Sequence, residues 1–296
     1  MSNNVSNQSG IFIEKGTLYV VATPIGNLGD ITQRALEILT NVDVIAVEDT
    51  RHSGRLMQQF QIETPMVALH EHNERDQAPK LVERLSKGES LAMISDAGTP
   101  LVSDPGYHLV RLAREQGIRV VPIPGASAML AALSVSGLPS DRFVFEGFLP
   151  SKSSARQKRL ELLASDPRTL IFYEAPHRLL ETLADMGEVL GQQRYVVLAR
   201  ELTKTFETIR GDTVENLLNW ATSDVNQQKG EIVLLVHGKA SVEDEEIEAE
   251  GKRVLSILLE ELPLSQASAL AAKITGNKKK TLYQFGLSLS GKRNDI

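Results

Sequence analysis

From Thr17 onward, short apolar runs alternate with segments of helical period. Tyr19–Ala22, Val42–Val47, Met66–Leu69, Leu91–Ile94 and Ile118–Pro122 read as strands. Between them the apolar spacing predicts helices over Ile31–Leu39, Gly54–Phe60, Ala78–Lys87, His108–Gln116 and Ala128–Ser136, with Asp30 as the N-cap of the first. Continuous rather than alternating apolar strands mean burial on both faces, the mark of a mainly parallel sheet covered by helices. The loop Gly137–Asp141 reads as a boundary. Beyond it, strands Phe143–Phe148, Thr169–Tyr173, Tyr195–Ala199, Phe206–Arg210 and Glu231–Val236 are interleaved with helices Ser153–Leu163, Leu179–Leu190 and Val214–Ala221. The adjacent strands 195–199 and 206–210 have no helix between them, so this second sheet is expected to be mixed. Three short helices, Val254–Glu261, Ser265–Thr275 and Lys278–Ser288, are expected at the end, broken at Pro263 and Gly276. The pattern divides the chain into a disordered tail (1–15), an N-terminal α/β domain (16–137), a second α/β domain (138–240), an acidic linker (241–250) and a basic helical tail (251–296).

Charge sharpens the last boundary. Residues 243–250 hold six acids and no base, whereas 251–296 hold eight Lys or Arg against three acids. The net charge of −6 argues against a uniformly basic coat, so any nucleic-acid contact must be local. With no cysteine, the chain has neither disulfides, thiolate zinc sites nor a thiol nucleophile. A polar N-terminus without an apolar signal core points to a cytoplasmic protein.

The candidate chemistry lies where the first five strands end. The loops there read TPIGNLGD (23–30), EDTRHS (48–53), HEHNE (70–74), SDAGTP (95–100) and PGAS (124–127). Short polar side chains and glycines at the carboxyl edge of a sheet bring bare backbone close to a ligand. The G-x-G-x-x-G fingerprint and the P-loop are both absent, so a nicotinamide or ATP site is not supported. His70 and His72 face the same way on an extended segment but lack a clear third ligand, and no metal is expected. Glu48 and Asp49 beside Arg51 and His52 form either a substrate cluster or mutually satisfied ion pairs at a helix start.

TPIGNLGDIT (23–32), EDTRH (48–52), SDAGTPLVSDPG (95–106), PGAS (124–127), FEGFLP (145–150), FYEAPHR (172–178), ARELTKT (199–205) and KGE (229–231) follow one another in this order. Together they resemble the tetrapyrrole methylase superfamily, and within it the branch that modifies ribosomal RNA. The resemblance spans about residues 16–290. It implies two α/β domains of that type, with S-adenosylmethionine in a cleft between them, and a small C-terminal helical region. It implies transfer of a methyl group to the ribose 2′-hydroxyl of a cytidine in 16S rRNA of the small ribosomal subunit. It also implies a homodimer without a metal. By motif match the donor is expected on Ser95, Asp96, Ala97, Gly98, Thr99 and Pro100, on Pro124, Gly125, Ala126 and Ser127, on Glu174 and Ala175, and near Leu202, Lys229, Gly230 and Glu231.

A ribose hydroxyl is a weak nucleophile, so a positioned base is expected. Asp49, His52 and His70 are the candidates, with Glu48 fourth. For RNA phosphates, Lys152, Arg156, Lys158 and Arg159 are expected on one basic helix face, and Arg51, Arg178 and Lys204 at the cleft mouth. Ser265–Thr275 and Lys278–Leu289 outline a helix-turn-helix, with Lys278, Lys279 and Lys280 opening its second helix. Three cations there oppose the helix dipole, a cost that bound phosphate would offset. Two alternatives stand beside this reading: a small-molecule methyltransferase of the tetrapyrrole type, and a non-catalytic RNA-binding protein on the same fold.

Overall fold

The structure, a computed structural model, describes residues 13–239 and 242–291. Five apolar strands build the first sheet: β1 (Thr17–Val21), β2 (Val44–Val47), β3 (Met66–Ala68), β4 (Leu91–Ile94) and β5 (Arg119–Ile123). They pair in the order β3-β2-β4-β1-β5, every pair parallel. Helices cover both faces. Ile38 and Leu39 of α1 (Gln33–Asn41) and Met57 of α2 (Thr50–Gln59) pack against Tyr19, Val21, Ile45 and Ile94. Leu81 and Leu85 of α3 (Glu74–Ser86) and Leu109 of α4 (Tyr107–Glu115) pack against Leu18, Ala46 and Met93. Alternate residues of each strand thus enter opposite cores, which is why the strands read as unbroken apolar runs.

The second sheet takes β6 (Phe143–Phe148), β7 (Thr169–Glu174), β8 (Tyr195–Arg200), β9 (Thr208–Thr213) and β10 (Ile232–Val236) in the order β6-β7-β10-β8-β9. Only β6 and β7 pair in parallel, so this sheet is mixed. One face buries Phe172, Leu198 and Leu234 under residues of α6 (Ser153–Leu163), α7 (Leu179–Leu190) and α8 (Val214–Ser223). The other face packs Ile171, Ala199 and Val233 with Ala132 and Leu133 of α5 (Ala128–Val135) and with Ile25 and Leu202 from loops.

The chain divides into two compact units, Met1–Ala164 with Arg168–His237, and Ser165–Pro167 with Gly238–Ile296. Both sheets belong to the first. In the second, α9 (Val242–Leu258), α10 (Leu264–Thr275) and α11 (Lys279–Gly291) share a small core of Leu255, Ala267, Ala271 and Leu282. Gly276, at φ +76°, caps α10 in the left-handed conformation and turns the chain toward α11. No helix among the described residues is long and apolar enough to cross a membrane.

Several boundaries differ from the sequence pattern. Thr32, not Asp30, caps α1, accepting the Ala35 N–H at 3.1 Å. The helix expected from Gly54 begins at Thr50, because Asp49 accepts the Arg51 N–H at 2.8 Å. The helix expected from Ala78 begins at Glu74, with Pro79 tolerated inside it. The second strand of the β8–β9 hairpin is Thr208–Thr213 rather than 206–210. The acidic run 243–250, expected as a linker, lies within α9. Of the expected tail, residues 1–12 lie outside the described residues, while Ile13 packs on the first core and Glu14 pairs with Arg119.

The expected basic face of α6 needs correction. Arg156 is buried, with 1% of its side chain exposed. Its guanidinium bonds the Asp185 carboxylate at 2.5 Å, with Glu181 at 3.4 Å and the Ser151 carbonyl at 3.3 Å. Arg159 is held by Glu146 at 2.8 Å. Removing one partner of a buried pair strands the other charge without water. Arg156→Ala should therefore lower unfolding free energy by about 3–5 kcal/mol in urea titrations.

Candidate active site

Three loops leaving the carboxyl edge of the first sheet are tied together by backbone. Thr23 and Gly98 exchange two hydrogen bonds, Thr23 N–H to the Gly98 carbonyl at 2.9 Å and Gly98 N–H to the Thr23 carbonyl at 3.1 Å. Thr99 donates its hydroxyl to the Ala126 carbonyl at 3.0 Å. Gly98 sits at φ +80°, where a Cβ would come within 3.2 Å of Ile25. The SDAGTP turn therefore needs glycine there for both conformation and space.

Beyond it, the chain from Pro100 to Gly106 is strained. Leu101 and Ser103 take left-handed φ of +71° and +69°. Such strain persists only where surroundings hold it. A carboxylate does so from outside the segment: buried Glu74 accepts the N–H groups of Gly106 at 3.0 Å, His108 at 2.7 Å and Leu109 at 3.4 Å. It caps α4 from the first turn of α3. Sequence reasoning missed this role because nothing local links residue 74 to residue 106.

The second sheet supplies facing loops. Glu174 is buried at the end of β7 and fully engaged. It accepts from the Ala175 N–H at 2.7 Å, the Thr182 hydroxyl at 2.6 Å and the Arg178 guanidinium at 2.6 Å. Across the sheet, Glu201 and Thr203 again have left-handed φ, +51° and +67°. Lys204 bridges Glu201 at 2.7 Å and Glu231 at 3.1 Å, and its stem lies where a Cβ on Gly26 would be.

Between these two sets of loops lies a cavity of about 430 Å³. Asp96, Ala97, Gly98, Thr99 and Ser127 line it from the first sheet. Glu174, Ala175, Leu202, Gly230 and Glu231 line it from the second. A match to the family model of the tetrapyrrole (corrin/porphyrin) methylases covers residues 17–218, and with them most of this lining. The chain belongs to the tetrapyrrole methylase family. A separate match, to the RsmI C-terminal HTH domain, covers residues 245–290. Among curated relatives, the ribosomal RNA small subunit methyltransferase I of Pseudomonas aeruginosa is 62% identical over 278 residues, 94% of this chain and 99% of that protein. Its namesake from Haemophilus influenzae is 59% identical over 274 residues, covering 92% and 97%. The solved structure of the methyltransferase CobJ superposes with a TM-score of 0.57 at 20% identity, covering 75% of this chain and 94% of that one, which speaks to the fold alone.

The other expected site residues fall around the cavity rather than in it. Ser95 and Pro100 are buried beneath the turn, and Ser95 accepts the Thr23 hydroxyl on its carbonyl at 3.5 Å. Pro124 and Gly125 lie outside the lining, Gly125 backing closely onto Ala22, while Ala126 and Lys229 flank the lining residues Ser127 and Gly230. Of the four candidate bases, Glu48 alone is among the lining residues. Asp49 caps α2 and pairs with Arg51 at 3.2 Å, and His52 is exposed on the same helix. His70 stands 6.1 Å from His72, ring edge to ring, with its Nδ1 buried and without a partner. Among the expected RNA contacts, Arg51, Lys152, Lys158, Lys278, Lys279 and Lys280 are exposed. Arg178 and Lys204 are held against Glu174 and Glu231. Val102, Ser103, Asp104, Phe148 and Tyr173 also line the cavity. All five lie in quoted motifs, but only contact across two sheets marks them as lining.

The lining includes five carboxylates and no Lys, Arg or His. Arg178 offsets Glu174, and Lys204, shared with Glu201, offsets Glu231 in part, which leaves Glu48, Asp96 and Asp104 as the trio without an ion pair among the described residues. Burial, then the charges of Asp96 and Asp104, push the Glu48 carboxyl above the ordinary carboxylate range. Burial first, and Asp96 after it, raise Asp104 as well. Asp49 goes the other way, held low by its bonds to Arg51. A carboxyl with a raised folded-state pKa stabilises the fold fully below its unfolded value, near 4.3 for Glu, and loses that contribution as pH climbs through the folded value. The Glu48→Gln chain should therefore melt higher than the parent at pH 7, with the gain vanishing below pH 4. Calorimetric melting across that range checks it.

Proposed function

We propose that the chain transfers a methyl group from S-adenosylmethionine to the ribose 2′-hydroxyl of a cytidine in 16S rRNA of the small ribosomal subunit. The observation that carries the donor is the cavity's uncompensated acidity. A sulfonium with an α-ammonium group is cationic, and Glu48, Asp96 and Asp104 supply the opposite charge in a partly desolvated space. Backbone N–H groups and small side chains at 95–100, 124–127 and 229–231 suit the donor's polar edges. The two sheet-bearing segments, 16–137 and 138–240, act as the lobes that hold it. The curated relatives' names supply the acceptor, small-subunit ribosomal RNA.

The donor supplies an activated methyl carbon bound to positive sulfur. What the protein contributes is alignment: the ribose oxygen, the carbon and the sulfur must lie in line, and such positioning contributes up to about 7–11 kcal/mol. As the oxygen–carbon bond forms and the carbon–sulfur bond breaks, the hydroxyl proton must leave. Glu48 is the acceptor we assign. It lines the cavity, and its raised pKa brings it closer to the working pH than Asp49. Asp49 at the cap of α2, His52 in its first turn and His70 on the loop after β3 are the secondary candidates.

Phosphate contacts fall to exposed cations: Arg51, Lys152 and Lys158 on the first unit, and Lys278, Lys279 and Lys280 at the start of α11. The salt dependence of RNA binding counts them. The chain works in the cytoplasm as a homodimer, which sedimentation equilibrium tests.

Small subunits lacking the modification, incubated with methyl-labelled donor, should gain one ribose methyl in 16S rRNA by mass spectrometry. Transfer to a tetrapyrrole and not to rRNA would overturn the reading. Glu48→Gln should weaken donor binding modestly through the lost charge and, at saturating donor, lower turnover about 10²–10⁴-fold; unchanged turnover at saturating donor would remove Glu48 from the base role.

A further inference from the structure

One lining residue of this cavity is used by nothing above. Phe148 is 55% exposed, although it is a large apolar ring inside a functional cavity. Its placement is built rather than incidental. Strands β6 and β7 pair Phe145 with Ile171, Gly147 with Phe172 and Phe148 with Tyr173, so one extra residue, Glu146, is inserted as a bulge. Without the bulge, residues three apart would face opposite sides of the sheet. With it, Phe145 and Phe148 both lie on the face of Tyr173. Gly147 makes the bulge possible at φ +65°, and a Cβ there would stand 3.1 Å from the Ser103 hydroxyl of the opposite lip.

Tyr173 then fixes both rings edge-on. Its centroid lies 4.8 Å from Phe145 at 68° and 5.7 Å from Phe148 at 65°. Edge-to-face support holds a ring in orientation without covering it. The result is an aromatic surface at the cavity, rigidly held and more than half open.

Charge says what can lie on it. With five carboxylates and no cation among the lining residues, the cavity repels a phosphodiester. The part of an RNA chain that enters must be the uncharged part, sugar and base. A base drawn out of its stack loses stacking energy, and proteins replace it with aromatic faces.

We propose that Phe148 is the stacking platform for the nucleobase of the target nucleotide, holding it beside the methyl donor. This rests on the RNA-methyltransferase reading above. The experiment uses the full chain with unmodified small subunits and labelled S-adenosylmethionine, comparing the parent with Phe148→Ala, Phe148→Leu and Phe148→Trp. Donor Kd is measured separately by calorimetry. Because the ring is exposed, melting temperatures should not move. Phe148→Ala and Phe148→Leu should raise the KM for subunits about 5- to 150-fold, the range that stacking one base provides. Phe148→Trp should stay near the parent, and donor Kd should be unchanged in all three. The proposal is overturned if Phe148→Leu matches the parent, since apolar filling would then suffice. It is also overturned if Phe148→Ala weakens donor binding while the subunit KM at saturating donor holds, since the ring would then serve the donor's adenine. Failure of the parent chain to methylate subunits at all would instead sink the underlying function, and that control separates the two.

Discussion

Two backbone hydrogen bonds between Thr23 and Gly98 set the geometry on which the site depends. A parallel sheet delivers its strand ends to one edge, each with polar backbone that the ladder no longer satisfies. Here the ends of β1 and β4 satisfy each other, and Thr99 adds the end of β5 through the Ala126 carbonyl. Three loops far apart in sequence become one wall. The left-handed residues that follow, Leu101 and Ser103, are affordable because Glu74 clamps the segment's far end with three hydrogen bonds. Strain at the cavity is thus balanced by a buried carboxylate outside it.

The wall's second property is charge. Acids near a cavity are usually neutralised where they arise, and two of the five lining carboxylates are, by Arg178 and Lys204. The remaining three crowd one side, and burial first, then their mutual repulsion, raise the protonation tendency of Glu48 and Asp104. An empty site of this kind is destabilising at neutral pH, and a cation relieves it. Under the proposed function, the same acidity that suits a sulfonium disfavours phosphate, so one electrostatic arrangement would serve the donor and restrict which part of an RNA chain approaches it.

Much of this was legible in the sequence, for physical reasons. Apolar runs marked the strands of both sheets, although half-exposed β9 begins two residues later than its run, and the missing helix before it pointed to a mixed second sheet. Glycine-bearing turns at strand ends pointed to the ligand edge, and Asp96–Thr99, Ser127 and Gly230 do line the cavity. What failed depended on contacts distant in sequence. Arg156 looked like part of a basic face because Lys158 and Arg159 are its neighbours, yet Asp185 draws it inward. Asp49, a candidate base, also caps α2 through the neighbouring Arg51 N–H, the helix-start pairing that the sequence had left open. The Glu146 bulge, which turns Phe148 toward Tyr173, has no signal in residue periodicity beyond a glycine inside a strand.

The central claim is that the donor occupies the acid-lined cavity between the two sheets. Backbone hydrogen exchange of the full chain, with and without saturating S-adenosylmethionine, tests it most directly. The account predicts slowed exchange at Asp96–Thr99, Ser127–Ala128, Leu202 and Gly230–Val233, and none across α10 and α11. Protection confined to the C-terminal helices, or absent from both lips of the cavity, would contradict it.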